Sequence, residues 1–232
     1  MLPVAILAGG LATRLRPLTE TIPKSLIPVH GEPFIAHQLR LLQTRGIERV
    51  VLCVGYLGEM IREFVAEGKA FGLFIDYSWD GPVPLGTAGA IRKALPFLGE
   101  AFFVMYGDSY LLCNYRAVED AFSTSGRRAL MTVFRNEGQW DTSNVEFHGG
   151  QIFAYDKQHR NPGMRHIDYG LGVFQGSAFA ALPDGPCDLA TVYQNLLARN
   201  ELAAFEVKER FYEAGSFEGI RSLSELKLER HE

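Results

Sequence analysis

The chain has little that would mark it as a nucleic-acid binder, a disulfide scaffold or a membrane protein. Its 232 residues carry 23 Lys and Arg against 27 Asp and Glu, a net charge of −4, whereas broad nucleic-acid binding rests on a basic excess. Only three cysteines occur, Cys53, Cys113 and Cys187. Far apart and odd in number, they match neither a disulfide framework nor metal-ligand spacing and suit a reducing compartment. No run of about 18 apolar residues is present, so no transmembrane helix is expected. The opening apolar run is too short for a signal-peptide core and lacks a basic flank, and the cytoplasm is the expected location. The six histidines show no H-x-x-x-H or H-E-x-x-H spacing, and no serine stands in G-x-S-x-G. Nucleophilic catalysis by the protein therefore has no support. Internal repeats, low-complexity tracts and Pro-, Gly- or Ser-rich linkers are missing too, so one domain is expected over 1–232.

What is present is an alternation of strand and helix patterns. Strands are expected near Val4–Ala8, Arg49–Cys53, Phe74–Tyr77 and Phe102–Tyr106, the first and last as unbroken apolar runs suited to central strands. Helices are expected over Phe34–Arg45, ended by Gly46, and over Gly58–Lys69 and Thr87–Ala94. This is a doubly wound α/β pattern. After Gly107 the spacing predicts strands at Leu130–Arg135, Asn144–Phe147, Ile152–Tyr155 and Leu171–Phe174, a helix capped by Asp188, a last strand at Ala203–Val207 and a polar tail. The expected fold is a single-domain, predominantly parallel but mixed sheet.

Three clusters carry chemistry. The first strand empties into Gly9-Gly10, then Thr13, Arg14, Arg16 and Lys24. Backbone N–H groups freed by such a turn receive anions, and cations at loop spacing would surround a polyphosphate. The run is neither the dinucleotide fingerprint G-x-G-x-x-G nor a Walker loop. In the second cluster, Pro84 to Ile91, Gly86, Thr87 and Gly89 open a helix where small side chains allow a flat ligand close. The third is Gly107-Asp108, which sets a carboxylate at the carboxyl end of a strand, a placement that suits Mg²⁺ with phosphate oxygens.

LAGGLATRLRPLT followed by IPKSLIPV resembles the signature of the sugar-1-phosphate nucleotidyltransferases, L-A-G-G-x-G-T-R-L-x-P-L-T and then P-K-x-x-x-P-V. The chain departs at Ala12, where the family usually has Gly; a left-handed backbone there would cost alanine about 1 kcal/mol. The resemblance implies a Rossmann-like GT-A fold, with about 1–110 holding the nucleotide and about 111–232 the sugar phosphate. It also implies Mg²⁺ and the substrates NTP and sugar 1-phosphate, with no nucleic-acid or membrane partner; self-assembly is left open. PLGTAGAI looks most like members that use GTP with mannose-type or heptose 1-phosphates.

Residue by residue, the resemblance implies nucleotide contacts at Leu7, Gly9, Gly10, Thr13, Gly86, Thr87 and Gly89, with Arg14 on the β/γ-phosphates and Lys24 beside the α-phosphate. Lys157 would meet the sugar 1-phosphate, and Asn144, Asp168, Tyr169 and Gly170 the sugar. At Asn144 the alternative is a residue that merely tolerates a left-handed backbone. Asp108 would bind the metal, and FYEAGSF, similar to Y-D-I-G-T-P, puts Glu213 at the second metal carboxylate. Two other readings stay open: a sugar-nucleotide-binding regulatory module without catalysis, and transfer to a phosphorylated alcohol such as choline phosphate.

Overall fold

β1 (Val4–Leu7) lies at the centre of the molecule and shows why its sequence is apolar without interruption. Val4 and Ile6 point into one core and Ala5 into a second on the opposite face, because successive strand side chains alternate. A strand covered on both faces has no polar side to display. The computed structural model describes residues 1–11, 13–183 and 185–226. Ala12, and with it the expected strain in the first loop, lies outside the described residues.

Short 3-10 turns over Thr13–Leu15, Leu18–Glu20 and Lys24–Leu26 lead to a small ribbon of β2 (Pro28–Val29) and β3 (Glu32–Pro33). The chain then alternates α1 (Phe34–Thr44), β4 (Arg49–Val54), α2 (Gly58–Val65), β5 (Phe74–Trp79), α3 (Gly86–Leu98) and β6 (Ala101–Tyr106). β5, β4, β1 and β6 are neighbours in that order, all parallel. The strand order reverses between β1 and β6, and such a switch point opens a crevice at the carboxyl ends of the strands.

The second half adds β7 (Ser109–Leu111), α4 (Tyr115–Ser125), β8 (Ala129–Arg135), a hairpin of β9 (Val145–His148) and β10 (Gln151–Tyr155), and β11 (His166–Gln175). It ends with α5 (Leu189–Ala198), β12 (Leu202–Val207), β13 (Phe211–Glu213) and α6 (Phe217–Glu225). β11 runs antiparallel between β6 and β8, and β12 joins parallel to β8. The sheet is therefore mixed and mostly parallel in its first half, as expected. α1, α2 and α4 cover one face through residues such as Leu39, Ile61 and Val118, and α3 and α5 the other through Ile91 and Val192. Among the described residues no helix is long and apolar enough to cross a membrane.

Several boundaries differ from expectation for local reasons. α1 ends at Thr44, and Gly46 closes it at φ +82°. The Gly46 N–H donates to the Gln43 carbonyl (2.9 Å) and the Ile47 N–H to that of Leu42 (3.0 Å), the paired bonds of a Schellman cap. α2 stops at Val65 because Ala66 turns to φ +50°; Lys69–Phe71 forms a separate 3-10 turn. α3 runs to Leu98, four residues beyond the expected Ala94. β11 begins at His166, well before the expected Leu171, because His166–Asp168 pair with Arg135–Val133 of β8. The polar tail expected after β12 is instead β13 and α6; α6 is capped by Ser216 and turns Ile220 and Leu223 inward. α4 was not expected, although Asn114 caps it and Tyr115, Val118 and Phe122 form its buried stripe.

Candidate active site

A cavity of about 700 Å³ opens along the carboxyl edge of β1 and β6, at the switch point. From the first half it is lined by Leu7, Gly9, Gly10, Arg14, Lys24, Gly86, Thr87 and Asp108. Across from them stand Asn144, Lys157, Asp168, Tyr169, Gly170 and Glu213. Two expected residues do not line it. Thr13 begins the 3-10 turn that carries Arg14, a turn anchored by the buried Leu15. Gly89 lies on the buried side of α3, where a Cβ would come 3.1 Å from Leu85 Cβ and 3.7 Å from the Gly185 carbonyl oxygen. Its small size serves packing against the segment before α5.

The charged centre of the cavity is built from chain segments remote in sequence. Lys24, at the start of its 3-10 turn, reaches Asp108, which follows β6, with Nζ 2.6 Å from Oδ2. β13 pairs antiparallel with β7, and Glu213 stands opposite Ser109, the residue after Asp108. The Glu213 carboxylate accepts from the Gly215 N–H and the Ser216 hydroxyl. Ser216 Oγ in turn accepts from the Gly219 N–H (3.0 Å) and caps α6. A Cβ on Gly215 would lie 2.5 Å from Asp108 Oδ2, 2.7 Å from Glu213 Oε2 and 3.3 Å from Lys24 Nζ. The three charged groups thus converge on one point, and only a glycine leaves room for them. Among the described residues no three His, Cys, Asp or Glu side chains gather as a metal cage. Two facing carboxylates are the donor set Mg²⁺ uses when substrate phosphates complete its shell.

On the opposite wall Lys157 Nζ lies 3.3 Å from Tyr106 Oη and 5.5 Å from the centre of that ring. Asp168 accepts from Tyr155 Oη (3.2 Å) and from the Gly170 N–H (3.1 Å). Burial raises its carboxyl above the ordinary range, opposed by the Lys157 charge and by these bonds. The β11–β8 register shifts between Asp168 and Gly172, with Gly170 at φ +96°. A bulge next to a site re-aims side chains in this way. Asn144 Oδ1 accepts from the Asp168 N–H (2.9 Å), so Asn144 supports the bulge; its backbone is not left-handed. The Tyr169 ring faces away, buried between Phe134 and Phe211 in the core.

Sequence reasoning missed Asp80, Tyr106, Tyr155 and the Trp140–Thr142 loop. Asp80 follows β5, lines the cavity and is half-buried, and burial raises its carboxyl. The signal was available, since Asp80 ends a parallel strand as Asp108 does. Cys53 also lines the cavity, but burial pushes its thiol up to about 12, which leaves it inert as a nucleophile.

Fold and site together define a doubly wound α/β protein with a crevice of paired cations and carboxylates at its switch point. The sequence model of the nucleotidyl transferase family matches residues 4–143, and the chain belongs to that family. It is 40% identical over 221 residues to a mannose-1-phosphate guanyltransferase of Hypocrea jecorina, covering 90% of this chain and 60% of the relative. It is 38% identical over 105 residues to the D-glycero-alpha-D-manno-heptose 1-phosphate guanylyltransferase of Campylobacter jejuni, covering 45% of this chain and 47% of that one. The chain spans between 30% and 65% of the length of the first curated relatives it matches. Among solved structures, HddC from Yersinia pseudotuberculosis complexed with GMP-PN superposes with a TM-score of 0.80 at 23% identity, covering 97% of this chain and 99% of that one. That likeness establishes the shared fold.

Proposed function

We propose that the chain transfers a nucleotidyl group from an NTP to a sugar 1-phosphate, giving an NDP-sugar and pyrophosphate. GTP with a mannose- or heptose-type sugar phosphate is the preferred pair, in keeping with the guanylyl-transferring relatives. The observation that carries the reading is the meeting of Lys24, Asp108 and Glu213 in one cavity with Arg14 and, on the facing wall, Lys157. Two anions must come together in this reaction, and such a cavity supplies positive charge to both. In this reading about 1–110 would hold the nucleotide and about 111–232 the sugar phosphate.

In the proposed reaction a sugar-phosphate oxygen attacks the α-phosphorus in line, and pyrophosphate leaves on the opposite side. The attacking oxygen is already anionic, so no general base is needed and catalysis rests on positioning and charge neutralisation. Gly9, Gly10 and their neighbours offer N–H groups to the nucleotide, with Leu7, Gly86 and Thr87 along its base side. Arg14 neutralises the β/γ-phosphates and the departing pyrophosphate. Lys24 steadies the α-phosphate, and Lys157 holds the sugar 1-phosphate close to it. Asp108 and Glu213 would hold Mg²⁺, which supplies Lewis-acid stabilisation of phosphoryl charge. Asp168 and the backbone of Tyr169 and Gly170 border the sugar.

Pyrophosphate release across a panel of the common NTPs and of hexose, heptose and amino-sugar 1-phosphates tests the reading. Turnover is expected with at least one sugar 1-phosphate and to need a divalent cation. Nucleotide binding without turnover on any acceptor would place the chain among regulatory modules, and, with choline phosphate added to the panel, turnover restricted to it would replace the acceptor.

A further inference from the structure

The sugar side of the cavity is closed by a loop between β8 and β9, residues 136–143, whose order comes from one buried side chain. Asn136 is 1% exposed. Its Nδ2 donates to the Asp141 carbonyl (2.6 Å) and to Ser143 Oγ (3.1 Å), and its Oδ1 accepts from the Trp140 N–H (3.2 Å). Trp140, Asp141 and Thr142 line the main cavity and also a second cavity of about 610 Å³ behind the loop. The loop is therefore a wall with open space on both sides. These bonds fix its shape, and at its start the Asn136 and Glu137 N–H groups donate to the Arg165 carbonyl (3.1 and 2.8 Å), which ties that end to the segment before β11.

Its far arm, at Trp140, is held by Arg210. The Arg210 guanidinium carbon stands 3.5 Å from the centre of the Trp140 ring and 4.7 Å from that of Tyr212. Nη2 donates to Ser222 Oγ of α6 at 3.0 Å. A planar guanidinium held by two aromatic rings and a hydroxyl is a rigid clasp that an ammonium cannot reproduce. Arg210 lines neither cavity. It joins the wall to β13, the strand that carries Glu213.

We propose that Arg210 is a positioning residue for the sugar-phosphate acceptor: by clasping Trp140 it fixes the 136–143 wall relative to the carboxylates and so sets the fit of the sugar ring. Trp140, 48% exposed, then presents an apolar aromatic surface to the C–H groups of a pyranose 1-phosphate. This rests on the nucleotidyl-transfer reading, and its test separates the two.

The chain has two tryptophans, so Trp79→Phe leaves Trp140 as the sole reporter of the wall. In that background Arg210→Ala is expected to lower the fluorescence anisotropy of Trp140. With GTP and α-mannose 1-phosphate as probes, Arg210→Ala is expected to raise KM for the sugar phosphate roughly tenfold while the KM for GTP moves less than about twofold. Arg210→Lys, which keeps the charge but not the plane, should fall between. Unchanged anisotropy, or equal rises in both KM values, overturns the clasp. If Arg210→Ala does not fold, Trp140→Leu must show the same split in KM, and its absence overturns the proposal. Absence of pyrophosphate from the wild type with every NTP and sugar phosphate overturns the reaction instead, and the anisotropy comparison alone then decides the clasp.

Discussion

Lys24 and Asp108 are 2.6 Å apart with side chains 23% and 18% exposed. For a pair so largely buried the cost of desolvation offsets much of the attraction, so its place in the cavity is better understood as chemistry than as scaffolding. Asp108→Asn keeps the shape and removes the charge, and Arg14→Ala removes the cation proposed for the leaving pyrophosphate. Each is expected to lower turnover by about 10²-fold or more, with the melting temperature nearly unchanged for the exposed Arg14 and lowered for Asp108→Asn, which leaves Lys24 unpaired; near-normal pyrophosphate release in either variant would sink its role. Asp168 carries a pH signature. Its raised carboxyl holds the proton more tightly in the folded state than in the unfolded chain, so its contribution makes stability fall as pH climbs from about 3.9 through the raised value. Asp168→Asn removes that term. Its gain in melting temperature over the wild type should be largest at neutral pH and shrink as the pH falls to about 4, and a difference independent of pH contradicts the assignment.

At the scale of elements, caps decide where helices begin. Asn114 accepts from the Ala117 N–H at 3.1 Å and starts α4. Asn114→Ala is expected to cost about 1 kcal/mol, which for a chain of this size lowers the melting temperature by about 2–4 °C in calorimetry. Elements with a strong periodic signal were legible in the sequence. β1 and β6 showed as apolar runs because both faces are covered, and α1 showed through Ile35, Leu39 and Leu42 with its glycine stop. The Gly149-Gly150 turn joins β9 to β10 with both residues at positive φ, as a two-residue turn between twisted strands demands. β7 and β13 were not legible, because three-residue strands carry almost no period, whereas α6 was overlooked although Ile220 and Leu223 share one face behind the Ser216 cap. The form of the two strands depends on partners about a hundred residues away. The site divides the same way: Arg14, Lys24 and Asp108 sit in local motifs, whereas the inward turn of Tyr169 and the bulge at Gly170 follow from tertiary register.

For the whole molecule, the cavity joins segments from Leu7 to Glu213, so a ligand bound there clamps both halves together. GTP with Mg²⁺ at a hundredfold over its Kd is expected to stabilise the fold by about 2.7 kcal/mol, a rise of several degrees in a thermal-shift experiment. Arg14→Ala should blunt that rise, and no response to any NTP would remove the nucleotide site. The short ribbon of β7 and β13 has a consequence of its own. By setting Glu213 opposite Ser109 it acts as a gauge block between the halves. Adjacent residues of a strand face opposite ways and are about 3.4 Å apart. A slip of β13 by one residue against β7 would leave every core strand in place, yet it would turn Glu213 away from Asp108. The chemistry of this chain can therefore be lost through a single notch of register, in a protein that still folds.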